Sequence, residues 1–259
     1  MSTKPQHFRK AVRHNVKKVI DYIGRNYVWR ENDKAVTPSK ELICMFCGSN
    51  ELMTKEHIIP RWIFAKDTKA FFTVTLNGLD QTYNKATIPA CLKCNSDLLN
   101  DLERFIQRLF TNRDVSADPF DWEEIQEIIR WLEHIDYKFQ IYNITRRFKA
   151  SKQVGKIPYL MDFPLYMLLP NKDYTPFQVL SAIRRSLKRL SIARKYDHLN
   201  SLVVFHTTNK GFHFFHTVDE YIFLELPQYQ IAVFYFFKEK FNTVKEAFDK
   251  ATTIIKKVY

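Results

Sequence analysis

Glycine and cysteine are both scarce in this chain of 259 residues, five of the first and four of the second. Few turns can therefore rely on glycine's free access to positive φ. Long hydrophobic runs are also missing. The longest, Ile231 to Phe237, is seven residues and reads as a buried strand, where a membrane-spanning helix needs about 20 apolar residues. Residues 1–30 mix Lys, Arg and His with short apolar steps, so no signal peptide is expected. There is no internal repeat and no low-complexity tract. These absences predict a soluble, cytoplasmic protein with no membrane role. In a reducing compartment, paired cysteines favour zinc over disulfides.

What is present is aromatic side chain and positive charge. Phe and Tyr number 22 and 13, and hydrophobic residues make up 46%, enough for one large domain or two modest ones. The net charge is +12 and it is unevenly spread. Residues 1–40 hold 10 Lys/Arg against 3 Asp/Glu, and residues 151–200 hold 9 against 3. The stretch 41–120 is close to neutral. A polyanion such as nucleic acid suits that pattern; the plainer reading is a solvated basic surface.

Apolar periodicity predicts a basic amphipathic helix over 7–27, with Val12, Val16, Val19, Ile20, Ile23 and Tyr27 on one face. A short strand is expected from Met53 to Ile59, ended by Pro60, and strands at Phe71–Leu76 and Gln81–Ala90 around Asn77-Gly78. Helices follow at Cys94–Phe110 and, capped by Asp121, at about 122–135. A strand at 158–170 and a helix at Phe177–Tyr196 come next. Strands at Ser201–Thr207, Phe212–Thr217 and Glu220–Phe237, broken at Pro227, precede a last helix from about Thr243 to Val258. The fold class is α+β, in three blocks. Residues 1–40 form a basic helix and linker, 41–112 a small module, and 113–259 an α+β domain with an antiparallel sheet.

All four cysteines fall in two Cys-x-x-Cys pairs, Cys44/Cys47 and Cys91/Cys94. Two such pairs can close a tetrahedral four-thiolate zinc site, which folds a module and does not catalyse. The alternatives are two unrelated buried pairs or a redox pair. Between them lies Glu56-His57-Ile58-Ile59-Pro60, and Asn95 follows the last cysteine.

In this order the motifs resemble the HNH, or ββα-metal, endonuclease family. The likeness is to its zinc-stapled four-cysteine subgroup, and to bacterial members with Thr-x-Glu-His, Pro-x-Trp and Cys-Asn before a Leu-Glu helix. Here those read Thr54-Lys55-Glu56-His57, Pro60-Arg61-Trp62, Cys94-Asn95 and Leu102-Glu103. The likeness covers about residues 41–110. The chain departs from the family in having Glu56 where many members have Asp, and Asn95 where the family name implies His. Asn84, the nearest candidate for the middle asparagine, sits at an unusual distance from Cys91.

The resemblance implies a ββα-metal module and hydrolysis of DNA. His57 would serve as general base, since a neutral imidazole can take a water proton near pH 7. One Mg²⁺ or Mn²⁺ ion would bind hard oxygens from Glu56 and Asn95. Glu103, eight residues after Asn95 on nearly the same helix face, could add a ligand, hold a water, or pair with Arg61 or Arg104. Arg61, Lys17, Lys18, Arg184, Arg185, Lys188 and Arg189 are the candidate phosphate contacts, with Arg9, Lys10 and Arg13 beside them. His206, His213 and His216 form a loose cluster for which structural or surface roles are expected. A homodimer, or a partner in bacterial phage defence or restriction, is implied by resemblance alone. The competing readings are a non-enzymatic zinc module that binds nucleic acid and a nuclease acting on RNA.

Overall fold

The computed structural model describes residues 4–28, 39, 41–64, 71–74, 79–82, 85–111, 113, 119–147, 176–193 and 196–259. The strand expected at 158–170, and Asn84, lie outside them. The class is α+β, with antiparallel sheets and five α-helices among the described residues. The chain groups into two compact units. One comprises Met1–Asn100 and Tyr137–Ser191, the other Asp101–Asp136 and Ile192–Tyr259. These cut across the sequence blocks 1–40, 41–112 and 113–259.

In the first unit, α1 (Lys4–Ile23) continues into a π-helical turn, Gly24–Val28. Its expected stripe is largely buried at Val12, Val19, Ile20 and Ile23, and it packs on α4 (Pro176–Leu190), which buries Val179, Ile183, Leu187 and Leu190. Arg13 Nη2 donates to Ser191 O at 3.1 Å, satisfying a carbonyl just past the helix, where intrahelical donors run out.

Four short strands follow α1: β1 (Met53–His57), β2 (Phe71–Val74), β3 (Leu79–Thr82) and β4 (Thr87–Cys91). The strand expected at Gln81–Ala90 is in fact two. β3 pairs with β2, while β4 pairs antiparallel with β1, from Met53↔Cys91 to His57↔Thr87. The chain then turns at Leu92 into π-helical turns, Lys93–Leu99, which run into α2 (Asn100–Thr111). An antiparallel strand pair is thus followed directly by a helix.

Helix α3 (Trp122–Arg147) begins with a reciprocal cap. Asp121 Oδ1 accepts from the Glu123 and Glu124 amides at 2.8 and 2.9 Å, and Glu124 Oε2 accepts from the Asp121 amide at 2.9 Å. The helix runs well past the expected end at 135. Every residue from Trp131 to Tyr142 is buried, including Glu133, His134, Asp136, Lys138 and Gln140.

In the second unit, β5 (Leu202–His206), β6 (Phe214–Thr217), β7 (Tyr221–Leu226) and β8 (Ile231–Phe236) form a sheet in the order β5-β8-β7-β6. The inner strand β8 is buried throughout, which explains its unbroken apolar sequence. Helix α5 (Val244–Val258), capped by Thr243, lays Ala247 and Ala251 on a core of Val203, Phe223, Ala232, Phe234 and Phe236. Asp136 accepts from the Asp219 amide at 3.0 Å and pairs with His216 Nε2 at 2.8 Å. That gives His216 the structural place expected for it. Among the described residues no helix is long and apolar enough to cross a membrane.

Candidate functional site

The two Cys-x-x-Cys pairs are brought together by the strand pairing. Cys91 ends β4 opposite Met53, Cys94 lies in the helical turn beyond it, and Cys44 and Cys47 sit in a tight turn whose Met45 amide donates to Pro89 O at 3.0 Å. Gly48 closes that turn at φ +69°, donating to Cys44 O at 2.8 Å, and here glycine is needed. A Cβ at Gly48 would also lie 3.1 Å from Lys18 Cδ, so the stem of Lys18 rests on the turn.

The four sulfurs all lie within 4.8 Å of one another, with Cys47 Sγ to Cys91 Sγ at 3.6 Å. A tetrahedral zinc with bonds of about 2.3 Å would set sulfurs about 3.8 Å apart. The quartet can therefore hold a metal ion such as zinc, and it is the only group of three or more His, Cys, Asp or Glu among the described residues that could hold one. Backbone amides support it, Ser49 donating to Cys47 and Cys94 to Cys91. Crowding splits the thiols. Hydrogen bonding from Cys44 pulls Cys47 down to about 2 and Cys91 to about 7, while bonds to its three neighbours push Cys44 far up. Four thiols this close cannot all ionise alone, whereas a dication would let them.

The quartet is anchored to the unit's core. Phe46 lies between Phe8 of α1 and Tyr137 of α3, with ring centroids 5.8 and 5.4 Å away. Tyr137 Oη donates to Met45 O, and burial pushes this hydroxyl's pKa well up, which keeps it a donor.

Next to the quartet, Asn95 binds across to β1. Its Nδ2 donates to Thr54 Oγ1 at 3.0 Å and to Lys55 O at 3.3 Å. A carbonyl can only accept, so the amide orientation is fixed and Oδ1 stays out of these bonds. Glu56 is buried, and its Oε1 pairs with Lys138 Nζ at 2.7 Å, the side chains being 7% and 1% exposed. Strand alternation puts Thr54 and Glu56 on one face, the face that Asn95 reaches. His57 ends the strand, half-buried, opposite Thr87, and the same alternation places it on the other face from Glu56.

Glu103 is half-buried on α2 and belongs to the second unit, whereas His57 and Asn95 belong to the first. Lys17, Lys18, Arg61, Arg184, Arg185 and Lys188 are exposed, all in the first unit. Arg189 folds back on Ser186 Oγ at 2.8 Å, and Arg13 is committed to Ser191. Sequence reasoning missed Phe46, Tyr137 and Lys138.

The separation of charge is sharper by unit than by sequence block. The first unit carries 27 Lys/Arg against 11 Asp/Glu, net +16; the second carries 13 against 17, net −4. No family model, curated protein or solved structure matches the chain.

The Lys138–Glu56 pair has a measurable consequence. Lys138→Met leaves a buried carboxylate unpaired, which costs about 3–5 kcal/mol. The double variant Lys138→Met/Glu56→Gln removes both charges and is expected to recover most of that loss in urea denaturation. Equal losses in the single and double variants would show that the pair is not the source.

Proposed function

We propose that this chain is a metal-dependent endonuclease of the HNH type, cutting DNA phosphodiester bonds. The observation that carries the reading is the tie between Asn95 and β1. Directly after the last cysteine, Asn95 reaches the strand that bears Glu56 and His57, in a unit of net charge +16. Zinc on Cys44, Cys47, Cys91 and Cys94 holds this unit together. His57 takes the proton of the attacking water. A divalent ion, Mg²⁺ or Mn²⁺, would be held by Asn95 Oδ1 and the second oxygen of Glu56, and would supply charge stabilisation at the phosphate. Lys138 fixes the Glu56 carboxylate from below, as outer partners of ligating carboxylates do. Bacterial phage defence or restriction is the role that suits such an enzyme.

The test is conversion of supercoiled plasmid by the native protein with Mg²⁺ or Mn²⁺, against the same protein in EDTA. Binding without cleavage of DNA or RNA would select the non-enzymatic module, the reading favoured by Lys138 already neutralising Glu56. Cleavage of RNA alone would move the substrate.

Substrate holding falls to the exposed cations of α1 and α4. Replacing Lys17, Arg184, Arg185 and Lys188 by Ala should weaken DNA binding across all sequences. It should also flatten the slope of log affinity against log salt by about 1 for each phosphate no longer neutralised. A salt titration with unchanged slope would remove these helices from the DNA path.

A further inference from the structure

The second unit contains a cavity of about 290 Å³ that the nuclease reading does not use. Its walls include Phe205, Phe223, Ala232, Ile255 and Tyr259. The polar lining centres on Glu225, which is 4% exposed. Three side chains converge on that carboxylate. Thr207 Oγ1 and Asn209 Nδ2 donate to Oε1, the latter at 3.0 Å, and His213 Nδ1 pairs with Oε2 at 2.5 Å. Burying a carboxylate among aromatic rings is costly unless it is paired, and these three partners hold it in one orientation, with no lysine or arginine paired to it among the described residues. A concave, mostly apolar site with a few convergent polar groups is the usual form of a small-ligand pocket.

The chemistry selects the ligand. Thr207 Oγ1 and one N–H of Asn209 are committed to Glu225, and His213 Nδ1 is paired with its Oε2. What remains for a ligand is the second lone pair of Oε2 and the free ring nitrogen on the far side of His213, beside the second N–H of Asn209. Aromatic faces around a carboxylate also favour a cation. The unit that holds the cavity has net charge −4, in a protein that is otherwise strongly basic. The volume is roughly twice the ~150 Å³ of a cavity that takes benzene, so a bicyclic ring with a short arm fits.

We propose that this cavity binds a small aromatic molecule carrying one cationic nitrogen, with Glu225 as its counter-ion. The claim does not depend on the nuclease reading. Tryptamine and its neutral isostere tryptophol distinguish it, titrated calorimetrically into the full chain. Tryptamine should bind at least about tenfold tighter, since one charge-assisted hydrogen bond is worth about 1.5–3 kcal/mol. Glu225→Gln should erase that difference. Should this variant fail to fold, Tyr259→Leu gives a second reading. Tyr259 is 62% exposed, so the variant should fold normally while weakening tryptamine severalfold through loss of an aromatic wall. Equal affinities for the two compounds, no binding of either, or a Tyr259→Leu protein that binds tryptamine as the native chain does would each overturn the proposal.

Discussion

Cys47→Ser should cost the first unit its fold. The half-exposed Cys47 is the least buried of the quartet, so the serine itself fits easily and the loss reports on the metal. Apparent binding energies of structural zinc reach about 10–16 kcal/mol near neutral pH, comparable to a domain's whole stability of about 5–15 kcal/mol. A metal on the four cysteines would tie the Cys44–Cys47 turn to the end of β4 and the start of the following helix. Without it, the turn is held only by the packing of Phe46 between Phe8 and Tyr137 and by backbone hydrogen bonds. One zinc per chain is expected by elemental analysis. Chelation should raise hydrogen exchange across β1, β4 and α1 and spare the sheet of the second unit, whose core of Phe223, Phe234 and Phe236 is independent of the cysteines. Acid should release the metal, because protons compete for the same thiolates. Soluble native protein that contains no zinc, or a Cys47→Ser protein with an unchanged melting curve, would overturn this assignment.

The elements that are legible in the sequence share a property: their pattern is local. Amphipathic α1 and α5 lie close to their expected bounds because helix period and burial coincide, while α4 starts where expected but ends at Leu190, six residues short of Tyr196. The Cys44–Cys47 turn and the cap at Asp121 are short-range as well. What is not legible depends on distant partners. Residues 81–90 look like one strand, yet β3 pairs with β2 just before it, from Thr82 to Phe71 through Leu79 to Val74, while β4 pairs with β1 across both of them. The apolar pattern ends α3 at 135 because Asp136, Lys138 and Gln140 break any stripe. Their burial is satisfied by His216, Glu56 and Ser186, residues 80, 82 and 46 positions away. The same holds for Glu225, whose role emerges only when Thr207, Asn209 and His213 fold onto it. Of the candidate site, spacing points to the cysteine quartet, and resemblance names Asn95 as a metal contact; its bonds to Thr54 and Lys55 emerge only in the fold. Nothing local points to the clamp from Lys138.

His57→Ala should lower plasmid cleavage by about 10²–10⁴-fold, the usual contribution of a positioned general base. The residue ends β1 and is half-buried, so truncation opens no large cavity. Zinc content, melting temperature and DNA affinity should therefore stay at native values, and that combination separates chemistry from folding. Asn95 offers a contrast. In Asn95→Asp the carboxylate retains hard oxygens for a divalent ion but can no longer donate to Lys55 O. Without these bonds to β1 the unit should be less stable by about 1 kcal/mol, and cleavage should fall while the metal requirement changes little. Asn95→Leu, which lacks both donor and oxygen, should need more Mg²⁺ and cut more slowly than Asn95→Asp. A His57→Ala protein that cuts at the native rate would remove His57 from the chemistry. If Asn95→Asp and Asn95→Leu behaved alike in metal titration, Asn95 would be left as a brace for the strand and not a holder of the ion.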